Sequence, residues 1–578
     1  MAETYNITKP VSRFLSLLKT DKQDVINIYI YAVFNGLVNL SLPLGIQAII
    51  NLITGGQIST SWIMLILFVL SGVLFSGVLQ LLQLYTTENL QQKLFTRNAF
   101  DFTYRIPRIK LDNVDQLYIP EIVNRFFDIT AVQKGLSKIL IDFSSASLQA
   151  FFGLILLSLY HPFFIIYSLL LIILVILIIR FTGAKGLLTS LKESTYKYQV
   201  VHWLEELART LDTFKLAGKT DLPYHKTDEA VTGYLKNRKE HFKVLVVQSS
   251  VLILFKLFIT AGLLVLGGLL VIDQEMNLGQ FVAAEIIILL VITSVEKIIL
   301  SMETIYDVLT STEKVGMISD LELENMSGKN DKIQDMNEGV GITLRDVSYK
   351  FNESKFYAVK NVNLDIQPNE FVCIWGFEGS GKSMLLKIIS GIYENYEGVL
   401  LFNGIPANNY HKDSLRSIVS HGLTKEDTIF HGTLLENISL GRASVSFRDV
   451  KRIADVFGLI DYYEVFPKGY DTILYPEGKQ IPKGIIMKIL LARTLVTKPK
   501  LLIIEDAISR INKQDQEAFL NYVMDKNHGS TVIVVSNDKN IAQRCDKIVI
   551  MENGEISHIA PFSEIIQDER FKYLFIKG

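Results

Sequence analysis

The sequence predicts an α-helical membrane domain of six transmembrane helices followed by an α/β domain. Three observations predict it. The first half holds six apolar runs, each long enough to cross a bilayer. After residue 340 these give way to short apolar runs of strand length. One of those runs leads into a glycine-rich loop and then a helix. The 578 residues carry 58 Lys and Arg against 60 Asp and Glu, a net charge of −2, which leaves no basic footprint for nucleic acid. Only 20% of residues are charged and mean hydropathy is +0.28, although the hydrophobic share of 49% is ordinary for a soluble chain. The apolar residues must therefore be concentrated. Two cysteines, Cys373 and Cys545, exclude a disulfide framework.

A spanning helix needs ~20 predominantly apolar residues. The runs cover 25–50, 61–84, 142–160, 162–181, 249–272 and 279–300. The stretch from Leu171 to Ile179 shows their character: it is apolar all round, where a soluble amphipathic helix would keep a polar face. The connections at 51–60, 161 and 273–278 contain no Lys or Arg, whereas 85–141 and 182–248 are rich in both. Positive charge marks the cytoplasmic side, so both long connections, the N-terminus and everything after residue 300 are expected there. The N-terminus, with Lys9 and Arg13 ahead of Phe14–Lys19, does not resemble a signal peptide and is expected to lie along the membrane surface as an amphipathic helix. The long connections are poor in Gly and Pro, which predicts membrane helices that continue into the cytosol and turn back, with 112–121 and 209–217 as the turns. Lys256 and Glu285 sit at membrane depth, where ionisable groups face a cavity or one another. A Lys256–Glu285 pair or a polar wall is one expectation. For Glu296 and Lys297, simple exposure at the cytoplasmic end is preferred. Trp62 and Tyr160 read as interfacial anchors.

The membrane domain is expected to occupy 1–318, a polar linker 319–340, and the α/β domain 341–578. Runs such as Phe371–Trp375, Leu501–Ile504, Thr531–Val535 and Ile548–Met551 have the length of buried parallel strands. Directly after the first of these comes Gly376-Phe377-Glu378-Gly379-Ser380-Gly381-Lys382-Ser383, the full G-x-x-x-x-G-K-[ST] phosphate-binding pattern, and then a helical run. The glycines let backbone N–H groups converge on phosphate, and the helix N-terminus adds partial positive charge. The cofactors expected are ATP and Mg²⁺, with Lys382 on the phosphates and Ser383 on the metal. Glu378 is out of place in such a loop, because a carboxylate repels phosphate.

Six spans followed by such a domain resemble the ABC exporter superfamily along essentially the whole chain, and further motifs carry the resemblance. They are Phe430-His431-Gly432-Thr433-Leu434-Leu435-Glu436-Asn437-Ile438, Pro467-Lys468-Gly469-Tyr470-Asp471-Thr472, Leu491-Ala492-Arg493-Thr494-Leu495, and Gly279-Gln280-Phe281-Val282-Ala283-Ala284. Within the superfamily the membrane half is most similar to hemolysin- and bacteriocin-type exporters, and the N-terminal peptidase domain that some of those carry is not expected here. The fold implied is an exporter-type membrane domain with an α/β P-loop ABC nucleotide-binding domain.

In that register several family positions are altered. The signature falls on Ile481-Pro482-Lys483-Gly484-Ile485, with Pro482 where a γ-phosphate-binding serine is implied. The two acidic positions after the apolar strand are exchanged. Glu505 stands at the Mg²⁺-linked aspartate and Asp506 at the glutamate that polarises water. The switch histidine is Asn537, the D-loop aspartate is Asn512, and the Q-loop glutamine falls on Thr424 or Lys425. Phe351 stands for the adenine-stacking aromatic, with Tyr349 as second candidate. Gly376, Gly379, Ser380, Gly381, Lys382 and Ser383 remain intact, so phosphate binding is expected to survive while hydrolysis suffers.

The resemblance also implies partners: a second ABC half-transporter, as homodimer or heterodimer, the lipid bilayer of the inner cell membrane, and an adaptor protein across the periplasm. Three readings follow. The leading one is a hydrolysis-impaired half-transporter exporting a peptide, protein or other large substrate. The second is an active homodimeric exporter with Glu505 and Asp506 in swapped roles. The third is a pseudo-transporter that scaffolds or regulates a secretion complex.

Overall fold

The computed structural model describes residues 8–54, 60–114, 118–328, 338–351, 354–422, 428–462, 464–505, 511–525 and 529–571. The chain divides into two compact units, Met1–Arg108 with Leu117–Leu321, and Ile109–Gln116 with Glu322–Gly578.

The described residues of the first unit are helical. In order come α1 (Thr8–Thr20), α2 (Lys22–Val38), α3 (Ser41–Thr54), α4 (Thr60–Arg105), α5 (Ile119–Asn124), α6 (Asp128–Lys138), α7 (Ser144–Ser158), α8 (Pro162–Arg209), α9 (Leu211–Leu216), α10 (Leu222–Ile272) and α11 (Leu278–Ser319). Six helical stretches among them are long and apolar enough to span a bilayer, and each matches one of the apolar runs, the third ending at Ser158 where the run is expected to reach 160. Four of the helices are 42–51 residues long. At 1.5 Å per residue that is about 63–77 Å, against a hydrocarbon core of ~30 Å, so these helices continue well past the bilayer. The first span is two helices, not one: the chain restarts at Ser41, and Pro43 lies in the first turn of α3, where its missing N–H has no intrahelical role. Pro162 starts α8 in the same way, with the His161 ring accepting from the Phe163 N–H. Asn277 and Gln280 form a capping box at the start of α11.

Helix α1 is fastened to α11. Lys9 and Arg13 both pair with Asp320, and Arg13 also lies 3.4 Å from Glu313. Farther along, Gly186 of α8 lies under the Tyr306 ring of α11, and the Tyr306 hydroxyl accepts from Gln248 of α10 at 2.8 Å. A Cβ at position 186 would stand 2.4 Å from that ring, whereas one at 183 meets only the end of Met302 at 4.0 Å. Overpacking of this kind costs about 1–3 kcal/mol, while Gly to Ala in an open helix position stabilises by roughly 0.5–1 kcal/mol. Gly186→Ala is therefore expected to lower the Tm of the detergent-purified protein. Gly183→Ala should leave it unchanged or slightly higher, and equal shifts for the two would contradict this packing.

The described strands and helices of the second unit are β1 (Ile342–Tyr349), β2 (Val359–Ile366), β3 (Phe371–Trp375), α12 (Lys382–Ile389), β4 (Glu397–Phe402), β5 (Ile405–Pro406), α13 (Lys412–Ile418), β6 (Val419–Gly422), β7 (Gly432–Thr433), α14 (Leu434–Ser439), α15 (Phe447–Val456), β8 (Ile473–Leu474), α16 (Lys483–Leu495), β9 (Leu501–Ile504), α17 (Lys513–Val523), β10 (Thr531–Val535), α18 (Lys539–Arg544), β11 (Lys547–Glu552), β12 (Glu555–Ala560) and α19 (Phe562–Ile565). The central sheet has the order β12-β11-β3-β10-β9-β6, parallel except for β12. An antiparallel sheet, β2-β1-β4-β5, flanks it. Alternation along the strands sorts the core into two layers. Phe371, Cys373, Trp375, Leu502, Ile504, Val532 and Val534 pack with α14–α19, while Val372, Ile374, Leu501, Ile503, Ile533 and Val535 pack with the antiparallel sheet and α12.

Part of the first long connection between spans belongs to this second unit. Ile109 bridges Leu323, the Lys110 N–H donates to Glu322 O at 2.9 Å, and the Asp112 carboxylate accepts from the Glu394 N–H at 3.0 Å. Of the turn expected at 112–121, the described part is a short helical turn at Leu111–Asn113 and the start of α5, residues 115–117 lying outside the described residues, and the one expected at 209–217 is α9.

Candidate nucleotide site

The phosphate-binding loop leaves β3 and enters α12. Every residue of β3 is buried, so the loop starts from a fixed point in the middle of the central sheet. Gly379 and Gly381 have φ of +79° and +95°, a region that favours glycine. A Cβ at 381 would also meet Ala358 O at 2.2 Å, and one at 376 would meet Met551 O at 2.5 Å. The loop can only be closed by glycine at these points. Lys382 Nζ lies over the loop and donates to Gly376 O at 2.6 Å, Phe377 O at 2.8 Å and Ser380 Oγ at 3.2 Å. Its charge is thereby held at the concave side of the loop. Glu378 is exposed at the outside of the turn.

Ser383, in the first turn of α12, donates to Glu505 Oε2 at 3.0 Å. Glu505 follows β9 and is 8% exposed. Its other oxygen, Oε1, lies 3.2 Å from His421 Nε2. Burial works against charge on Glu505, but hydrogen bonds from His421 and Ser383 and the Lys387 cation outweigh it, and its carboxyl is held below the usual range. A hydroxyl and a carboxylate converging beside a phosphate loop are hard oxygen donors of the kind Mg²⁺ takes, so these residues fit that ion. The sequence pattern pointed to Ser383 and Glu505 but not to His421. No motif contains that histidine; only the parallel pairing of β6 with β9, which sets His421 opposite Ile503, brings it to Glu505.

Phe351 is exposed beyond the end of β1, its ring edge-on to Tyr349 at 5.3 Å. Tyr349 is 3% exposed and also packs on Tyr393, so of the two aromatics Phe351 is the one open to a base. Pro482 precedes α16 as its cap, and Pro482, Lys483 and Gly484 are exposed at that helix start, while Ile485 is buried and Ile481 half-buried. Asn537 is exposed after β10. Asn512 caps α17, its side chain accepting from the Asp515 N–H at 2.8 Å. Asp506, Thr424 and Lys425 lie outside the described residues.

In the first unit Lys256 does not pair with Glu285. It pairs with Glu296 at 2.8 Å, and Glu285 is exposed. The reason is depth in the α10–α11 hairpin. Lys256 lies 16 residues before the end of α10, and Glu296 lies 18 residues after the start of α11, but Glu285 only seven. At 1.5 Å per residue the first two share a level and the third does not. The expectation of simple exposure for Glu296 is corrected by the same pair. Lys297 is exposed.

Comparison with known proteins agrees with this architecture. The model of the ABC transporter transmembrane region matches residues 25–295, and that of the ABC transporter itself matches 359–509. Together they match well over half of the chain. The chain belongs to the ABC transporters. This ABC chain is 23% identical to the transport/processing ATP-binding protein ComA of Streptococcus pneumoniae serotype 4 strain TIGR4, over 96% of this chain and 77% of ComA. It is 26% identical to the alpha-hemolysin translocation ATP-binding protein HlyB of Escherichia coli O157:H7, over 54% of this chain and 44% of HlyB. A solved structure of a bacterial Atm1-family ABC exporter with ATP bound superposes with a TM-score of 0.79 at 16% identity, covering 96% of this chain and 97% of that one. The chain therefore has the ABC exporter fold, six apolar helices with an α/β nucleotide-binding domain, and is a multi-pass membrane protein. Removing Lys382 takes away the positive charge that its hydrogen bonds hold at the loop. Because charge-assisted hydrogen bonds contribute about 1.5–3 kcal/mol, Lys382→Ala is expected to weaken binding of a fluorescent ATP analogue by at least about tenfold. Undiminished binding would contradict the placement of phosphate in this loop.

Proposed function

We propose that this half-transporter binds MgATP, hydrolyses it slowly or not at all, and works as one half of a dimer that exports a peptide, protein or other large substrate. It sits in the inner cell membrane with its N-terminus and ATP-binding domain in the cytoplasm. The observation that supports this reading is the division of the site into intact and altered parts. The loop from Gly376 to Ser383 keeps its closure, its lysine and its hydroxyl. The residues that would act on the γ-phosphate and on water are changed.

ATP hydrolysis depends on positioning and on electrostatic stabilisation of the γ-phosphate. A bound Mg²⁺ neutralises charge on the phosphates. Lys382 would hold the phosphates in the loop, Ser383 and Glu505 would supply oxygens to the ion, and Phe351 would offer a face to the adenine. At position 506 an aspartate is one methylene short for a group that must reach a water, and a misplacement of ~1 Å costs about 10²-fold in rate. Asn537 has no ring nitrogen to hold or accept a proton. On a facing chain's nucleotide, Pro482 offers neither a hydroxyl nor an N–H.

The export reading draws on likeness to ComA and HlyB, whose names describe transport/processing and alpha-hemolysin translocation. The dimer follows from the half-transporter architecture: one membrane unit and one nucleotide unit make half of the assembly. A partner chain with an intact signature, or an adaptor on the far side of the membrane, fits the same reading. Lys256 and Glu285 are proposed as part of the polar wall of the path, Glu285 exposed on α11 and Lys256 paired with Glu296 at another level. The reading predicts that purified chain in lipid binds ATP but shows turnover no higher than Lys382→Ala. Robust turnover that Lys382→Ala abolishes would instead support an active homodimer.

A further inference from the structure

A polar chain joins the two ends of α12 across the edge of the central sheet. It starts at Ser383 Oγ in the first turn and passes to Glu505 Oε2 at 3.0 Å. From Glu505 Oε1 it passes to His421 Nε2 at 3.2 Å, and from His421 Nδ1 to Ser390 Oγ, at the end of the helix, at 3.2 Å. The His421 side chain is 4% exposed. A carboxylate oxygen only accepts, so Nε2 must carry the proton of the Glu505–His421 bond. The donor is placed by pairing, not by chance of rotamer: β6 runs parallel to β9, with His421 opposite Ile503, and the Glu505 N–H is directed at Gly422 O at 3.4 Å.

We propose that His421 is a positioning residue for the metal of the nucleotide site, fixing one oxygen of Glu505 so that the other stays with Ser383 and the ion. The inference rests on the reading that this loop takes MgATP. The physical need comes from the glutamate itself. It has one more rotatable bond than the aspartate implied at this position, and freezing that bond costs entropy each time an ion is held. A buried donor on Oε1 removes that freedom before the ion arrives. Partners of metal-binding carboxylates act in this way, and losing one typically weakens metal binding about 10- to 100-fold. Glu505 and His421 are then a matched pair: the longer carboxylate reaches the histidine, and the histidine aims the longer carboxylate.

The test is Mn²⁺ binding to the nucleotide-loaded full chain in detergent, read by electron paramagnetic resonance, beside ATP-analogue binding in EDTA. His421→Ala is expected to weaken Mn²⁺ by about 10- to 100-fold and to leave metal-free nucleotide binding unchanged. His421→Gln, which keeps an N–H donor near the place of Nε2, should restore most of the loss. In a Glu505→Asp background, where the carboxylate no longer reaches position 421, His421→Ala should add little. Three results would overturn the proposal: unchanged Mn²⁺ affinity in His421→Ala, an equal loss of nucleotide binding in EDTA, or nitrogen coupling in the Mn²⁺ spectrum that vanishes with His421 and marks it as a direct ligand. Failure of the wild-type chain to bind nucleotide with or without metal is a separate outcome, and it would overturn the MgATP reading together with the proposal.

Discussion

The burial of β3 on both faces is the constraint from which the nucleotide site follows. Phe371, Cys373 and Trp375 pack into one layer, Val372 and Ile374 into the other, and neighbours on both sides hold the strand by parallel hydrogen bonds. A strand locked in this way cannot shift its register without breaking those hydrogen bonds and exchanging the side chains packed in its two layers. The loop that follows starts and ends at fixed points, and glycines at 376, 379 and 381 let it close against Met551 and Ala358. The end of β9 is fixed by the same sheet, through β10. That is why Ser383, on α12, and Glu505, after β9, meet although 122 residues separate them.

The site that results is uneven in a physically consistent way. What depends on the backbone of the loop and on Lys382 is present, because the fold itself maintains it. Pro482, Asn512 and Asn537 differ from the side chains that the family resemblance implies at those positions. The exchange at 505 belongs to neither group. A longer carboxylate in a buried place would be disordered or unsatisfied, yet here both of its oxygens have donors. The longer carboxylate at 505 is thus met on both sides, by Ser383 and by His421.

Much of this was legible in the sequence. The long apolar runs define the spans because nothing else in a protein of this composition needs ~20 apolar residues in a row, and the phosphate loop is a local motif whose strand–loop–helix setting can be read in a few residues. Where the sequence misled, the missing information was three-dimensional. Lys256 has two acidic candidates on the next helix, and only its depth in the hairpin selects Glu296 over Glu285. The first span reads as one run of apolar residues because the break at Asn39–Leu40 leaves hydropathy unchanged; the restart at Ser41 is a matter of backbone geometry. His421 is a lone histidine in a short strand, and only the order of strands in the central sheet gives it a partner.

Whether this chain holds ATP and cleaves it slowly or not at all is decided by the chemical identity of the nucleotide it retains. The wild-type chain in lipid is incubated with α-labelled ATP and Mg²⁺ over many minutes, separated from free nucleotide, and extracted. The label is expected to be recovered chiefly as ATP. Recovery of the label chiefly as ADP, in wild type and not in Lys382→Ala, would contradict it.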